Sequence, residues 1–418
     1  MYADVDSVRR CRIVACLIRL ILFCSLVAPR VSGQELTHGL TRQRASRRAR
    51  VLATIGRKMF FDPSLSASGK VSCASCHDPA FAYGPPNAMP VQHGGKDMTQ
   101  WGTRAVPSLR YLQAIPQFTE HYFDSDSTGD DSVDNGPSGG LTWDARVDRG
   151  RDQARIPLLS TLEMANDSEA NVVAAVRRAS YGGELRRLSG NTADTSSIFN
   201  TILEAFEAWE QDYRGFYPYS SKYDAWLAGR ATLSDQERRG LNLFASPEKG
   251  DCARCHIATR SATGAPPQFT DYGLIALGVP RNRQIPANSD RDWYDLGLCG
   301  PERMDLPSKA DYCGRFMTPS LRNVATRRTF FHNGVFHTLR EVIEFYVQRD
   351  TNPEKWYPRN RDGIVVKFDD LPEKYRGNVE TGPPFGRPLG AKPALNDEEI
   401  QDVIAFLKTL TDGFHPTN

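Results

Sequence analysis

Two pentapeptides of one pattern, Cys73-Ala74-Ser75-Cys76-His77 and Cys252-Ala253-Arg254-Cys255-His256, constrain this chain more than any other feature. C-x-x-C-H is the attachment signature of c-type haem. The two thiols form thioethers with the porphyrin, and the adjacent histidine is placed to bind iron from one face. A zinc half-site needs a second ligand pair nearby, which neither motif has. A thioredoxin-like pair does not repeat in this way. The chain is therefore expected to hold two covalently bound haem c groups, on Cys73 and Cys76 with His77, and on Cys252 and Cys255 with His256. Such a chain moves electrons.

Residues 1–33 combine a basic start (Arg9, Arg10, Arg12), an apolar run from Ile13 to Val27, and the small residues Val31-Ser32-Gly33 before Gln34. That is the pattern of a cleaved secretory signal. An uncleaved anchor is the alternative, although Arg19 interrupts a run that would need about 20 apolar residues to span a bilayer. Either way the working part lies outside the cytoplasm, where c-type haem is attached. The expected location is the periplasm, with no stable membrane span after cleavage.

The leader carries five basic and two acidic residues, so its removal turns the formal +2 of the whole chain into −1. With no basic run in the remainder, nucleic acid is not an expected partner. Cys11, Cys16 and Cys24 leave with the leader, and four further cysteines hold haem. Cys299 and Cys313 remain. In an oxidising compartment this pair is expected to form a disulfide, with two free buried thiols as the alternative.

The rest of the chain is long enough for two cores. Similar lead-ins precede the two haem peptides: Ile55-Gly56-Arg57-Lys58-Met59-Phe60-Phe61 and Arg239-Gly240-Leu241-Asn242-Leu243-Phe244. Ser234 and Glu237 are spaced as a capping box ahead of the second. Asn396-Asp397-Glu398-Glu399 opens a last helix whose stripe is Ile400, Val403, Ile404, Leu407 and Leu410, with Gly413 as a stop. A helix before the haem peptide and one at the end is how a small cytochrome c domain encloses its cofactor. The expected fold is mostly α, with two cytochrome c-like haem domains at 34–228 and 229–418. The Tyr-, Ser- and Gly-rich stretch Tyr213–Ala231 would join them. Residues Asp124 to Leu141, acidic and without an apolar period, read as a flexible surface insertion.

The chain resembles the bacterial di-haem cytochrome c peroxidases, including the MauG branch. The markers are Phe60-Phe61-Asp62-Pro63, Trp143-Asp144-Ala145-Arg146, Leu162-Glu163-Met164, Pro319-Ser320-Leu321-Arg322-Asn323-Val324 and Phe331-His332-Asn333-Gly334. The resemblance implies two mostly helical haem domains, the first reacting with peroxide and the second storing or relaying electrons.

To cleave an O–O bond, a haem needs an open sixth position, a proton carrier, a polar partner and a dry pocket. Glu163 is the best candidate carrier. Its neighbours Ile156, Pro157, Leu158, Leu159, Leu162 and Met164 are apolar, and burial raises a carboxyl towards the working range. The alternative is a surface glutamate paired with Arg151 or Arg155. The resemblance implies that Gln153, Pro157 and Glu163 lie on the open side of the first haem. It also implies that Trp143 lies between the haems and carries electrons or hole density; an ordinary core tryptophan is the other reading.

In cytochrome c-oxidising members of the family, the position fourteen after the histidine of the His-x-Gly turn is methionine. Here it is Tyr346, as in MauG-like enzymes. A phenolate ligand favours the oxidised forms of iron, so the second haem would share in holding oxidising equivalents. The alternative leaves Tyr346 in the core and ligates the iron through Met317 or Met304. His93 stands sixteen after His77, where related enzymes place a loop histidine that caps the resting first haem. If His93 ligates, the site must be opened by reduction; Tyr346 favours the open version. The family's calcium site uses an asparagine in an Arg-Asn pair and carbonyls of a Thr-x-Pro. Here those stretches read Thr103-Arg104-Ala105-Val106-Pro107 and Arg327-Arg328-Thr329, so calcium is possible only through backbone carbonyls.

The expected activity is a periplasmic peroxidase or oxidase using hydrogen peroxide and acting on residues of a secreted partner protein. A small electron-donor protein, a cytochrome c or copper protein, is the alternative partner, and a non-catalytic electron-transfer cytochrome is a third class. The aromatic-rich segment Asn352–Gly390 reads as a loop covering the second haem edge or as a docking face.

Overall fold

The computed structural model describes residues 41–123, 134–190 and 192–415. Apart from the first residues of α1, the features below lie in the body Arg48–Asn418. The chain is mostly helical, with a few two-residue strands.

The first half is built on α1 (Arg42–Phe60), α2 (Gly150–Leu159), α3 (Glu169–Arg178), α4 (Gly182–Ser189) and α5 (Thr195–Glu210). Along α5, Ile198, Phe199, Ile202, Phe206 and Trp209 recur at helical spacing and form one buried stripe. α1 meets this stripe at Gly56. A Cβ there would sit 1.9 Å from the Ala205 carbonyl oxygen, so only glycine lets the two backbones approach this closely.

The second half uses the same device. α6 (Asp235–Ala245), α7 (Leu339–Gln348) and α8 (Asp397–Lys408) pack around the second haem peptide. Ser234 and Asn396 cap α6 and α8 with Glu237 and Glu399 completing capping boxes, as their spacing foretells. α6 crosses α8 at Gly240, where a Cβ would lie 1.9 Å from the Asp402 carbonyl oxygen. The shared Gly of the two lead-ins is thus a packing requirement repeated in each half.

One apolar core runs from Leu52 to Phe216 and another from Tyr223 to Leu410. A smaller cluster of Ala145, Leu274, Leu298, Leu306 and Met317 lies beside them. Near the first core, β1 (His93–Gly94) pairs antiparallel with β2 (Gln100–Trp101). In the small cluster β3 (Leu274–Ile275) pairs with β4 (Phe316–Met317), Leu274 opposite Met317. Cys299 and Cys313 are joined by a disulfide just before β4.

Charged groups join the halves. The Asp412 carboxylate accepts from Arg110 Nη1 at 3.0 Å and from the Tyr111 hydroxyl at 2.8 Å. Arg104 is held by Asp295 at 2.6 Å and Asp144 at 2.7 Å. These pairs are largely shielded from water, where losing one partner strands a charge and costs about 3–5 kcal/mol.

The expected flexible insertion is corrected at its C-terminal end. Ser138 is buried, bridges to Thr119 and Gly273, and is followed by buried Leu141. Backbone pairing orders this stretch without any apolar period. The remainder, 124–133, lies outside the described residues. Among those residues no helix is long and apolar enough to cross a membrane.

Candidate active site

Both C-x-x-C-H peptides open onto one continuous, largely apolar cavity of about 860 Å³. In the first, His77 accepts the turn geometry set by its N–H bonding to the Cys73 carbonyl at 2.8 Å. Its Nδ1 donates to the Tyr83 carbonyl at 3.0 Å, which leaves Nε2 for the cavity. In the second, His256 Nδ1 donates to the Phe269 carbonyl at 2.9 Å. Such a partner fixes the tautomer and aim of a ligating imidazole. Burial pushes both imidazoles down to about 4, so both are neutral and able to ligate at neutral pH. Cys73, Cys76, Cys252 and Cys255 carry unbridged thiols, and burial drives Cys76, Cys252 and Cys255 up to about 12. Each centre therefore offers two protonated thiols, one oriented neutral imidazole and an apolar chamber. That donor set fits covalent haem.

α2 and the turn after it form another wall of the first centre. Gln153, Pro157 and Glu163 all line the cavity. Pro157 sits inside α2 and cannot donate to the Gln153 carbonyl, so it removes one helix hydrogen bond on that wall. The turn is tightly fastened. Glu163 N–H bonds the Ser160 carbonyl at 3.1 Å, and the Glu163 carbonyl accepts from Gly95 N–H at 2.8 Å. A Cβ on Gly94 would lie 2.2 Å from the Leu162 oxygen, so the β1 backbone presses directly on this turn. Arg155 pairs with Glu169 and Arg151 with Asp152, so neither takes Glu163. The Glu163 side chain is exposed by area, yet that area faces the cavity, and surrounding protein raises its carboxyl to about 7 against the pull of Arg146.

His93 also reaches the cavity, from β1, with its ring centroid 3.7 Å from that of Trp101. Its Nδ1 is buried and finds no hydrogen-bond partner among the described residues. Trp143 touches both halves: its indole N–H donates to the Ala105 carbonyl at 2.8 Å, and its carbonyl accepts from Met317 N–H at 2.9 Å.

At the second centre, Tyr346 projects from α7 into the cavity, stacked between Phe331 at 5.9 Å and Phe385 at 5.3 Å. Burial and the nearby Cys255 and Cys252 thiols hold its hydroxyl well above the usual range. Met304 is 83% exposed and is thereby removed as an alternative ligand. Met317 lines the cavity on the Trp143 side. Phe385 buries itself against Tyr346, and Glu380, Pro383 and Pro384 join the lining, so it is the stretch 380–385 of the segment Asn352–Gly390 that reaches this centre.

Two lining groups escaped the sequence reading. Glu210 is raised to about 8 by burial and by Glu207. Its spacing from Phe206, one helical turn earlier on the apolar stripe, was the available signal. Arg327 stood out only as a departure from a family pattern, and nothing local foretold its burial.

A mostly helical chain with two haem-attachment peptides on one apolar chamber, and a carboxyl facing that chamber beside one of them, has the parts of a di-haem c-type peroxidase. The family model described as di-haem cytochrome c peroxidase matches residues 50–232. The chain is 31% identical over 379 residues to the methylamine utilization protein MauG of Paracoccus denitrificans, covering 86% of this chain and 88% of MauG. It therefore belongs to the di-haem cytochrome c peroxidase family and is an oxidoreductase of that kind. It is also 24% identical to the cytochrome c551 peroxidase of Nitrosomonas europaea over 86% of this chain and 80% of that one. The crystal structure of the diheme peroxidase BthA from Burkholderia thailandensis matches with a TM-score of 0.75 at 39% identity, over 86% of each chain.

Proposed function

We infer that this enzyme is MauG-like: it spends hydrogen peroxide to oxidise residues of a secreted partner protein, in the periplasm after loss of residues 1–33. The observation that carries this reading is Tyr346, a cavity-lining phenol facing the Cys252–Cys255 pair where a simple electron-storing haem would be served by a thioether. The haem domains of this reading are 34–228 and 229–418, supported by one core ending at Phe216 and the next beginning at Tyr223.

When bound, the two haems would supply the iron that takes up the oxidising equivalents of peroxide; His77 would hold one, and His256 with Tyr346 the other. Glu163 moves the proton. Its carboxylate takes it from the nearer peroxide oxygen and returns it to the departing oxygen, which leaves as water. A carboxyl near 7 suits both halves of that task at neutral pH. Gln153 orients the peroxide by hydrogen bonding, and Pro157 with the flanking Leu158 and Leu159 excludes water. Trp143, anchored by Ala105 and Met317, is the aromatic group through which the two centres share charge. His93 stays off the iron in this reading.

A cytochrome c peroxidase is the second reading, favoured by the His93 Nδ1 that finds no partner among the described residues. Steady-state turnover with peroxide and a reduced small cytochrome c separates the two. Slow turnover, with rapid oxidation of both haems by peroxide, supports the MauG-like role; fast turnover assigns the detoxifying one. If peroxide leaves both haem spectra unchanged, neither enzymatic reading stands.

A further inference from the structure

The arginines around the interhaem region are almost all neutralised. Arg104 lies between Asp144 and Asp295, Arg110 on Asp412, Arg281 on Asp370 and Arg322 on Asp224. Arg327 differs. Among the described residues it forms no ion pair; it donates instead to two backbone carbonyls, Nε to Thr329 at 3.1 Å and Nη2 to Val106 at 3.0 Å. Val106 belongs to the first half and Thr329 to the second, so the guanidinium joins them. Its side chain lines the cavity. Burial pulls it down only to about 10, so it is charged at neutral pH, and that charge reaches His77, whose proton affinity it lowers.

The same contacts decide the calcium question. Of the carbonyls a hard cation would need at 327 and 329, that of Thr329 already accepts from a guanidinium, as does the Val106 carbonyl facing it. Ala105 offers no side-chain oxygen, and its N–H is committed to the His332 carbonyl at 2.7 Å. The Asp144 and Asp295 carboxylates are taken by Arg104. Among the described residues no group of three His, Cys, Asp or Glu could hold a metal. A second cation would also meet direct repulsion from Arg327. The residues present do not fit calcium.

We propose that Arg327 is the built-in cation between the two haem centres: it clamps the halves through the Val106 and Thr329 carbonyls in place of calcium, and its charge raises the reduction potential of the haem on His77. A fixed positive charge in a low-dielectric chamber favours iron in its less positive, reduced state. Arg327 is thus a positioning residue, and its role holds whichever donor or partner the enzyme serves.

The test uses the holoenzyme and needs no peroxide. Potentials of both haems are measured by spectroelectrochemistry in the wild type, Arg327→Gln and Arg327→Lys, and calcium is quantified in the wild type before and after EGTA. The Gln variant is expected to shift the reduction equilibrium of the His77 haem about tenfold towards oxidised iron, about 59 mV lower for one electron. The Lys variant, which keeps the charge, is expected to retain most of the wild-type potential. The wild type is expected to hold no stoichiometric calcium and to keep its spectra and potentials in EGTA. One retained calcium per chain, an EGTA-induced change at either haem, or a Gln variant with unchanged potential overturns the proposal. If the Gln variant does not fold, the calcium and EGTA measurements on the wild type still decide it.

Discussion

Replacing Glu163 by glutamine keeps the side chain's size and one carbonyl oxygen but removes the group that exchanges a proton. In its pocket the carboxyl stands at about 7 instead of its ordinary 4.5, with burial the largest cause. About half the molecules therefore carry the carboxylate at neutral pH. Positioned acid–base groups contribute about 10²–10⁴-fold, which is about 2.7–5.5 kcal/mol of barrier at about 1.4 kcal/mol per tenfold. Glu163→Gln is expected to slow the reaction of the oxidised enzyme with peroxide by that factor, read by stopped-flow absorbance from about pH 5 to 9. The proton acceptor is the ionised form, so the wild-type rate falls as pH drops through about 7. The glutamine variant keeps a low rate without that limb. Stability gives an independent control. The folded-state carboxyl is raised, so its contribution is fully present below about 4.5 and is lost as pH rises through about 7. Glutamine ionises in neither state, and at alkaline pH the variant is expected to be no less heat-stable than wild type. A variant reacting within about threefold of wild type, or one whose acid limb persists, refutes the assignment of Glu163 as proton carrier.

Other substitutions probe the supports of each centre. Tyr346→Phe removes the phenol oxygen while keeping the stack between Phe331 and Phe385; the absorption and EPR signals of the His256 haem are expected to change and those of the His77 haem to persist, and an unaltered spectrum refutes ligation. Gly94→Ala drives a methyl to 2.2 Å from the Leu162 oxygen. It is expected to cost about 1–3 kcal/mol in thermal unfolding and to slow the peroxide reaction by displacing Glu163, whereas wild-type kinetics would show that the turn is not held by β1. The double change Cys299→Ser with Cys313→Ser opens the loop before β4 and is expected to lose about 3 kcal/mol by denaturant titration, the chain-entropy value for a loop of this length. Haem content is expected to stay at two per chain, because neither cysteine lies at a haem centre.

Much of the architecture was legible because it rests on local chemistry. The capping boxes at Ser234 and Asn396 satisfy backbone donors within one turn, so their spacing alone marks where α6 and α8 begin. The stripe of α8 follows from helical period. The insertion at 124–141 was misjudged at its end for the converse reason: Ser138 is held by pairing to Thr119 and Gly273, and long-range pairing leaves no periodic trace in a polar segment. The repeated Gly56 and Gly240 were visible as letters, but their purpose appeared only when Ala205 and Asp402 were found against them.

The site divides along the same line. Covalent attachment is written into contiguous residues, so the two Cys-x-x-Cys-His peptides by themselves determined that this protein carries two haems, and the family markers pointed to Glu163, Trp143 and Tyr346. Only the tertiary structure decided that both centres share one chamber, that Phe385 closes over Tyr346, and that Met304 faces solvent. It alone showed Arg327 bonded to Val106, 221 positions away, and in no ion pair among the described residues. The physical reason is that a charge acquires its effect from what surrounds it in space. Desolvation and field depend on atoms brought together from distant parts of the chain, and no spacing of letters records them.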